Sequence, residues 1–203
     1  YILAYNGGKI VDCRTQEVLY ERHLPNEVIP LIYQYAVRTG HALLGYVGNE
    51  IITEKPHDEY VGEESRINKM AIRKVDNLLE HLEPHPTKLL MTGHPADMER
   101  AEQELSQLLA DRMDVYRSAP FFIELVPKGI DKAQSLRRLL GHINLTPADM
   151  IAFGDGYNDL SMLHLAGMGV AMANAAPEVR ADADAVTLSN DADGVAVALK
   201  KYL

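Results

Sequence analysis

Residues 150–163 read MIAFGDGYNDLSML, and this stretch decides the fold class. The segment MIAF has the apolar character of a buried strand, Gly154 and Gly156 indicate a turn, and an apolar helical pattern begins at Leu160. A short, wholly apolar strand that leads into a helix is typical of a parallel sheet buried on both faces. The stretch therefore predicts an α/β fold.

The chain around this stretch repeats the same alternation. The segments GVAM and DAVTL indicate two further short strands, and the segments GIDKAQSLRRLLGHI, PEVRADA and DGVAVALKKYL indicate helices. Strands that alternate with helices favour a Rossmann-like, mostly parallel sheet. At the N-terminus, Gly7 and Gly8 stand between two strand-like segments and predict a hairpin.

The middle of the chain has a different order of predicted helices and strands. We expect a helix that begins at an Asn26 N-cap and ends at Gly40, then two strands, a polar helical segment over 63–82, a further strand, a helix and a final strand pair. This order predicts a small α+β layer separate from the parallel sheet.

The Gly-Asp turn contains the candidate metal-binding residues. Asp155 and Asp159, with Asn158 between them, follow directly after an apolar strand, and ligands of open parallel sheets bind at the carboxyl ends of the strands. The two carboxylates repel each other unless a cation or a proton lies between them. Oxygen ligands without a nearby His or Cys suit Mg²⁺, whereas the simpler alternative is a helix cap and a turn. We favour a magnesium site.

Three further residues are candidates. Lys132 begins the helix that leads into the strand before Asp155, where its ammonium could neutralise a phosphoryl oxygen. The simpler alternative is a solvated surface lysine, an interpretation that also applies to its nearby competitor Lys128. Asn6 belongs to the hairpin turn on the simplest interpretation. Asn174 follows an apolar strand and either caps the next helix or faces the same crevice.

Composition limits the partners. The net charge of −9 argues against nucleic acid, since that affinity depends on many Lys and Arg residues that neutralise phosphates. Cys13 is the single cysteine, no apolar run is long enough to cross a bilayer, and the N-terminus lacks a signal-peptide pattern. We therefore expect a cytoplasmic protein with a small anionic substrate and no membrane partner, as a monomer or a homodimer.

Together the segments FGDGYNDLSML, GIDKA, GVAMANAAPEVR and YNGG resemble the Cof-type branch of the haloacid dehalogenase superfamily. The resemblance covers essentially the whole chain and implies a Mg²⁺-dependent phosphatase of sugar phosphates and related small phosphoesters. It also implies a core formed by residues 1–20 and 125–203, and an inserted cap of the C2B kind over 21–124. The cap would select the substrate, with His57, Tyr60 and Arg66 as polar candidates that otherwise lie on a solvated surface.

The resemblance also assigns roles to the residues of the turn and its neighbours. By position, Asp155 matches the metal-binding carboxylate, and Asp159 matches a second acid that supports the metal directly or through water. Lys132 matches the lysine that stabilises the phosphoryl charge, and Asn158 matches an asparagine near the phosphate. Asn6 and Asn174 match asparagines that border the site.

One family motif has no match in the sequence. The family's nucleophile and its acid–base residue form an Asp-x-Asp pair followed by Gly-Thr, and the sequences DADAV and DADG near the C-terminus stand in the wrong context. We therefore expect a segment upstream of Tyr1 to supply this pair, and we expect residues 1–203 alone to be inactive. The alternatives are a sugar-phosphate phosphotransferase or phosphomutase, and a non-catalytic module that binds a phosphorylated ligand.

Overall fold

The computed structural model describes residues 1–202, and the chain divides into two compact units. The first unit combines Tyr1–Leu19 with the part of the chain that starts at Asp131, and the second contains Tyr20–Ile130. In sequence, the second unit is an insertion into the first. Each unit has a hydrophobic core of its own.

The N-terminal segment forms the predicted hairpin. Strand β1 (Ile2–Ala4) pairs antiparallel with β2 (Lys9–Val11), and a 3-10 turn over Tyr5–Gly7 connects them. Strand β3 (Val18–Glu21) completes this three-stranded sheet. Gly7 has a φ of +100°, a conformation that glycine adopts without the steric cost of a side chain.

A six-stranded sheet is the centre of the second unit. Its strands are β4 (Ala42–Val47), β5 (Glu50–Thr53), β6 (Ala71–Lys74), β7 (Leu89–Thr92), β8 (Met113–Ala119) and β9 (Phe122–Pro127). Their spatial order is β6-β5-β4-β7-β9-β8, and every pair is antiparallel except β5 with β6. The sheet is buried on both faces, since adjacent residues Leu43 and Leu44 of β4 belong to two different apolar clusters.

Four helices accompany this sheet: α1 (Ile29–Thr39), α2 (Glu59–Asn68), α3 (Leu78–His81) and α4 (Pro95–Leu109). Helix α1 ends as predicted at Gly40, whose φ of +73° provides the left-handed C-cap. Helices α1, α3 and α4 contribute to the larger apolar cluster, and Val61 of α2 belongs to the smaller one. The predicted α+β layer is therefore confirmed.

Two local predictions in this unit were wrong. The N-cap of α1 is Val28 and not Asn26, because a turn in which the Val28 amide donates to the Pro25 carbonyl precedes the helix. The polar segment 63–82 is not one helix, since β6 interrupts it. Arg73 of β6 lies beside Glu50 of β5 at 2.7 Å, so neighbouring-strand pairing stabilises a segment whose polar composition indicated a helix.

The C-terminal part of the chain returns to the first unit. Its helices are α5 (Lys132–His142), α6 (Leu160–Leu165), α7 (Pro177–Asp182) and α8 (Gly194–Tyr202). Strands β10 (Ile151–Gly154), β11 (Met168–Ala171) and β12 (Ala185–Val186) are parallel and adjacent in that order. This confirms the predicted parallel core. None of the helices within residues 1–202 has the length and apolarity that crossing a membrane requires.

Candidate active site

The loop between β10 and α6 contains both predicted metal-ligand residues. Asp155 follows the last residue of β10, and Asp159 ends a 3-10 turn over Tyr157–Asp159 directly before α6. Gly154 lets the two ends of this loop approach each other, since a Cβ atom at position 154 would lie 2.5 Å from the Cβ of Asp159. The loop therefore needs a glycine at the end of the strand.

Asp159 is the most constrained residue of the loop. It is 7% exposed, and its Oδ1 atom lies 2.5 Å from the Nζ atom of Lys132, the first residue of α5. Its Oδ2 atom accepts hydrogen bonds from the backbone amides of Asp155 and Gly156, both at 3.0 Å. The lysine and the loop backbone thus bind the same carboxylate.

These contacts determine the charge of Asp159. Burial acts to raise the pKa of this carboxyl group, but the Lys132 ammonium and the two backbone amides outweigh burial and hold the pKa below its ordinary value. The Asp159 carboxylate therefore stays ionised at neutral pH. Asp159 fixes the lysine and the loop in one arrangement.

We expect Asp159→Asn to lower the free energy of unfolding by about 2 kcal/mol at pH 7, because the charge-assisted hydrogen bonds are lost. A lowered pKa stabilises the folded state above the unfolded-state pKa, and this stabilisation disappears as the pH falls through the folded-state pKa. The difference between wild type and variant should therefore shrink below about pH 4. Urea unfolding at several pH values measures it, and Asp182→Asn, at an exposed carboxylate, is the control. A difference that does not change with pH would contradict the assignment.

Asp155 has a different environment. Its side chain is exposed, and its Oδ2 atom accepts a hydrogen bond from Nδ2 of Asn174 at 2.8 Å. Asn174 in turn accepts at Oδ1 from the backbone amide of Asn190 at 3.0 Å. The contact arises because β10 and β11 are parallel with Gly154 beside Ala171, so the residues after both strands meet at one edge. The Asn174 side chain thus lies beside Asp155, and it does not cap α7, whose N-cap is Ala176.

Asn6 and Asn158 lie together on another side of the loop. Nδ2 of Asn158 is 3.5 Å from Oδ1 of Asn6, and Asn158 is exposed. Asn6 has a φ of 54°, in the left-handed region that asparagine tolerates better than most residues. The hairpin turn therefore contributes a polar side chain beside the Gly-Asp loop, and the two interpretations of Asn6, as turn and as site residue, are compatible.

The sequence did not single out several residues that hold these side chains in place. Asp131 caps α5 by accepting from the amide of Gln134, and it also accepts a hydrogen bond from the hydroxyl of Ser161 in α6. An Asp directly before a helix is a common N-cap, so the first contact was predictable. The bond from Asn190 to Asn174 had no signal in the sequence, because its partners come from separate loops.

The donor set can be compared with the needs of Mg²⁺. Residues 1–202 contain no cluster of three or more His, Cys, Asp or Glu side chains that could hold a metal ion without other ligands. Mg²⁺ keeps several waters and uses one or two carboxylates together with substrate phosphate, so a closed protein cage is not required. The exposed Asp155 carboxylate fits this demand, whereas Asp159 is engaged with Lys132 and the loop amides. Asp155 could thus bind the metal directly, while Asp159 holds the loop that carries Asp155.

The polar candidates of the second unit have ordinary surroundings. Arg66 pairs with Glu63 on an exposed face of α2, and His57 is exposed. Tyr60 stacks on Phe121 with ring centroids 4.8 Å apart. A role for any of them in substrate selection stays a prediction.

Comparison with known proteins now identifies the family. A family model described as haloacid dehalogenase-like hydrolase matches residues 1–199. The chain belongs to the haloacid dehalogenase-like hydrolase family. This confirms the resemblance to its Cof-type branch and the α/β core with an inserted α+β unit.

Solved and curated members of this family are similar over most of the chain. A haloacid dehalogenase-like hydrolase from Bacteroides thetaiotaomicron is 47% identical with a TM-score of 0.97, covering 100% of this chain and 76% of that one. The HAD subclass IIB sugar phosphatase BT4131 is 26% identical with a TM-score of 0.81, covering 97% of this chain and 73% of that one. The 5-amino-6-(5-phospho-D-ribitylamino)uracil phosphatase YitU of Bacillus subtilis is 32% identical, covering 90% of this chain and 68% of that protein. The chain is thus a haloacid dehalogenase-like hydrolase of the phosphatase type.

Proposed function

We propose that this protein is a Mg²⁺-dependent phosphatase that hydrolyses small phosphorylated metabolites, with sugar phosphates as the first substrates to test. One observation carries the proposal: the Lys132–Asp159 ion pair is joined through the loop amides to Asp155 at the carboxyl end of a parallel strand. The sugar phosphatase BT4131 among the structural relatives supports the substrate class. The single, exposed Cys13 agrees with action in the cytoplasm.

Each residue of the site has a proposed task. Asp155 holds the metal, which when bound supplies positive charge against the transferring phosphoryl group. Lys132 donates to a phosphoryl oxygen from a position that Asp159 fixes, and preorganised charge of this kind stabilises the transition state without reorganisation. Asn158 and Asn6 bind the phosphate from the side, and Asn174 orients Asp155.

The nucleophile is part of the proposal. Neither Asp-x-Asp sequence near the C-terminus stands at the end of a first strand. Asp182 contacts His164 at 2.7 Å and Asp184 accepts from the amide of Gly169 at 2.8 Å. Asp191 lies in the 3-10 turn directly before α8, and Asp193 is the C-cap of that turn. We therefore propose that a segment upstream of Tyr1 supplies an aspartate. Its carboxylate oxygen would attack phosphorus while the P–O bond to the leaving group breaks, and the second aspartate of the expected Asp-x-Asp pair would protonate the departing alkoxide. The same residue would then take a proton from water, which hydrolyses the aspartyl phosphate to inorganic phosphate and the free carboxylate.

The second unit, residues 20–130, is proposed to act as the cap that selects the substrate. Such a lid excludes water other than the attacking molecule, which strengthens the electrostatic interactions within the site. Its α+β architecture agrees with the C2B kind that the sequence predicted.

The test is phosphate release by the full-length protein from a panel of sugar phosphates and p-nitrophenyl phosphate, with Mg²⁺ and with EDTA. We expect turnover that depends on Mg²⁺ and yields free phosphate. An isomeric sugar phosphate as product would instead indicate a phosphotransferase or phosphomutase. Binding of a phosphorylated ligand without turnover would indicate a non-catalytic module.

A further inference from the structure

Ser135 is a buried polar residue on α5 with an unusual partner. It is 1% exposed, and its Oγ atom donates a hydrogen bond at 2.5 Å to the carbonyl oxygen of Gly7, 128 positions away in the chain. Residues three apart on a helix lie on the same face, so Ser135 lies one turn after Lys132 on that face. The same side of α5 thus contacts both the hairpin turn and Asp159.

The hairpin turn lies directly against α5. A Cβ atom at Gly7 would lie 2.7 Å from Oγ of Ser135 and 3.2 Å from the carbonyl oxygen of Asp131. A side chain at position 7 has no room there. The absence of a side chain therefore lets the turn reach the first turn of the helix, where Ser135 binds its carbonyl group.

The orientation of the Asn6 side chain depends on this hydrogen bond between Ser135 and Gly7. Asn6 directly precedes Gly7, and both residues have positive φ angles, 54° and 100°, which asparagine and glycine tolerate and which form the tight turn between β1 and β2. The direction of the Asn6 side chain follows from how the next peptide is held. Its Oδ1 atom lies 3.5 Å from Nδ2 of Asn158 in the Gly-Asp loop.

We propose that Ser135 is a positioning residue of the phosphate site. Its hydroxyl holds the Gly7 carbonyl and so keeps Asn6 next to Asn158, while Lys132, one helical turn earlier, is held at Asp159. One face of α5 thereby sets the spacing between the lysine and the asparagine that contact the phosphate. This inference rests on the proposed function and adds a residue to it.

The test is Ser135→Ala in the full-length protein. Because Ser135 acts on a phosphate-binding side chain and not on the reacting atoms, we expect KM to rise about fivefold to tenfold while kcat stays within about twofold. The inhibition constant of inorganic phosphate should rise by the same factor as KM. Should the alanine variant fold poorly, Ser135→Cys, with a weak donor of similar size, should show a smaller effect in the same direction.

A double-mutant cycle separates positioning from general destabilisation. Asn6→Gly removes the Asn6 side chain and keeps the left-handed backbone. If Ser135 acts through Asn6, the KM of the variant with both changes should be no higher than the KM of Asn6→Gly alone. Independent, additive effects would overturn the proposal. So would an unchanged KM and phosphate inhibition constant in Ser135→Ala.

The matched control is Ser106→Ala in the second unit, where the serine hydroxyl also donates to a backbone carbonyl, that of Val115 at 3.4 Å. We expect no change in KM, and an equal rise in both serine variants would count against Ser135. If the wild-type protein releases no phosphate, the proposed function fails. If it does, and Ser135→Ala behaves as wild type, only the positioning role fails.

Discussion

Replacing Asp155 with asparagine in the full-length protein is expected to lower Mg²⁺-dependent kcat/KM by about a thousandfold. The change removes the negative charge of the exposed carboxylate and keeps its size, and the charge that a metal supplies to the transition state corresponds to several kcal/mol. The loss should be partly relieved at high Mg²⁺ concentration, because the weakened site still fills by mass action. Phosphate release measured across a Mg²⁺ titration checks both expectations.

The control for this prediction is Asp182→Asn, also at an exposed carboxylate of the first unit, which contacts His164. It should leave kcat/KM and the Mg²⁺ dependence unchanged. Thermal unfolding should show that Asp155→Asn is folded, since the Asp155 side chain is exposed and the hydrogen bond that it accepts from Asn174 is also available to an asparagine oxygen. Full activity in a folded Asp155→Asn protein would reject the metal assignment.

Replacing Lys132 with methionine is expected to lower kcat about a hundredfold or more. In the proposed mechanism the ammonium is a preorganised donor toward the phosphoryl group, and removal of one such donor typically costs about 3 kcal/mol in the transition state. The change also leaves Asp159 buried without its cation, so we expect the free energy of unfolding to fall by about 2 kcal/mol. Steady-state kinetics and urea unfolding measure the two effects.

A second substitution distinguishes these two effects. Adding Asp159→Asn to Lys132→Met removes the unpaired charge, so stability should recover relative to Lys132→Met while kcat stays low. Lys128→Met is the matched control, since its ammonium contacts Asp114 at 3.0 Å and the carbonyl of Ala110 at 2.7 Å. Recovery of kcat together with stability would show that Lys132 is structural and not catalytic.

The sequence predicted the strand, the turn and the helix of the candidate site, because their pattern is local. The strand, turn and helix around Asp155 are specified by apolar residues and glycines close together in the chain, so the loop and its carboxylates could be located. Lys132 was placed correctly on the first turn of α5, because a helix begins there in the sequence pattern.

Contacts between distant parts of the chain were not predictable in the same way. The bond from Ser135 to Gly7 depends on how a hairpin turn rests on a helix, and no local periodicity encodes it. Likewise, β6 is a strand because it pairs with β5, whereas its own polar residues suggested a helix. The error at Asn26 has a similar origin, since the turn before α1 competes with the expected cap.

The position of the insertion has a consequence for how the molecule folds. The hairpin turn and α5 lie on opposite sides of residues 20–130 in the chain, so their contact closes a very long loop. For a disordered loop on the order of a hundred residues, the length-dependent entropy of closure is about 4 kcal/mol. An inserted unit that folds first and brings its ends together removes most of this cost. Assembly of the proposed phosphate site is therefore expected to be a late kinetic event, which follows the folding of a unit that contributes none of the residues of the Gly-Asp loop.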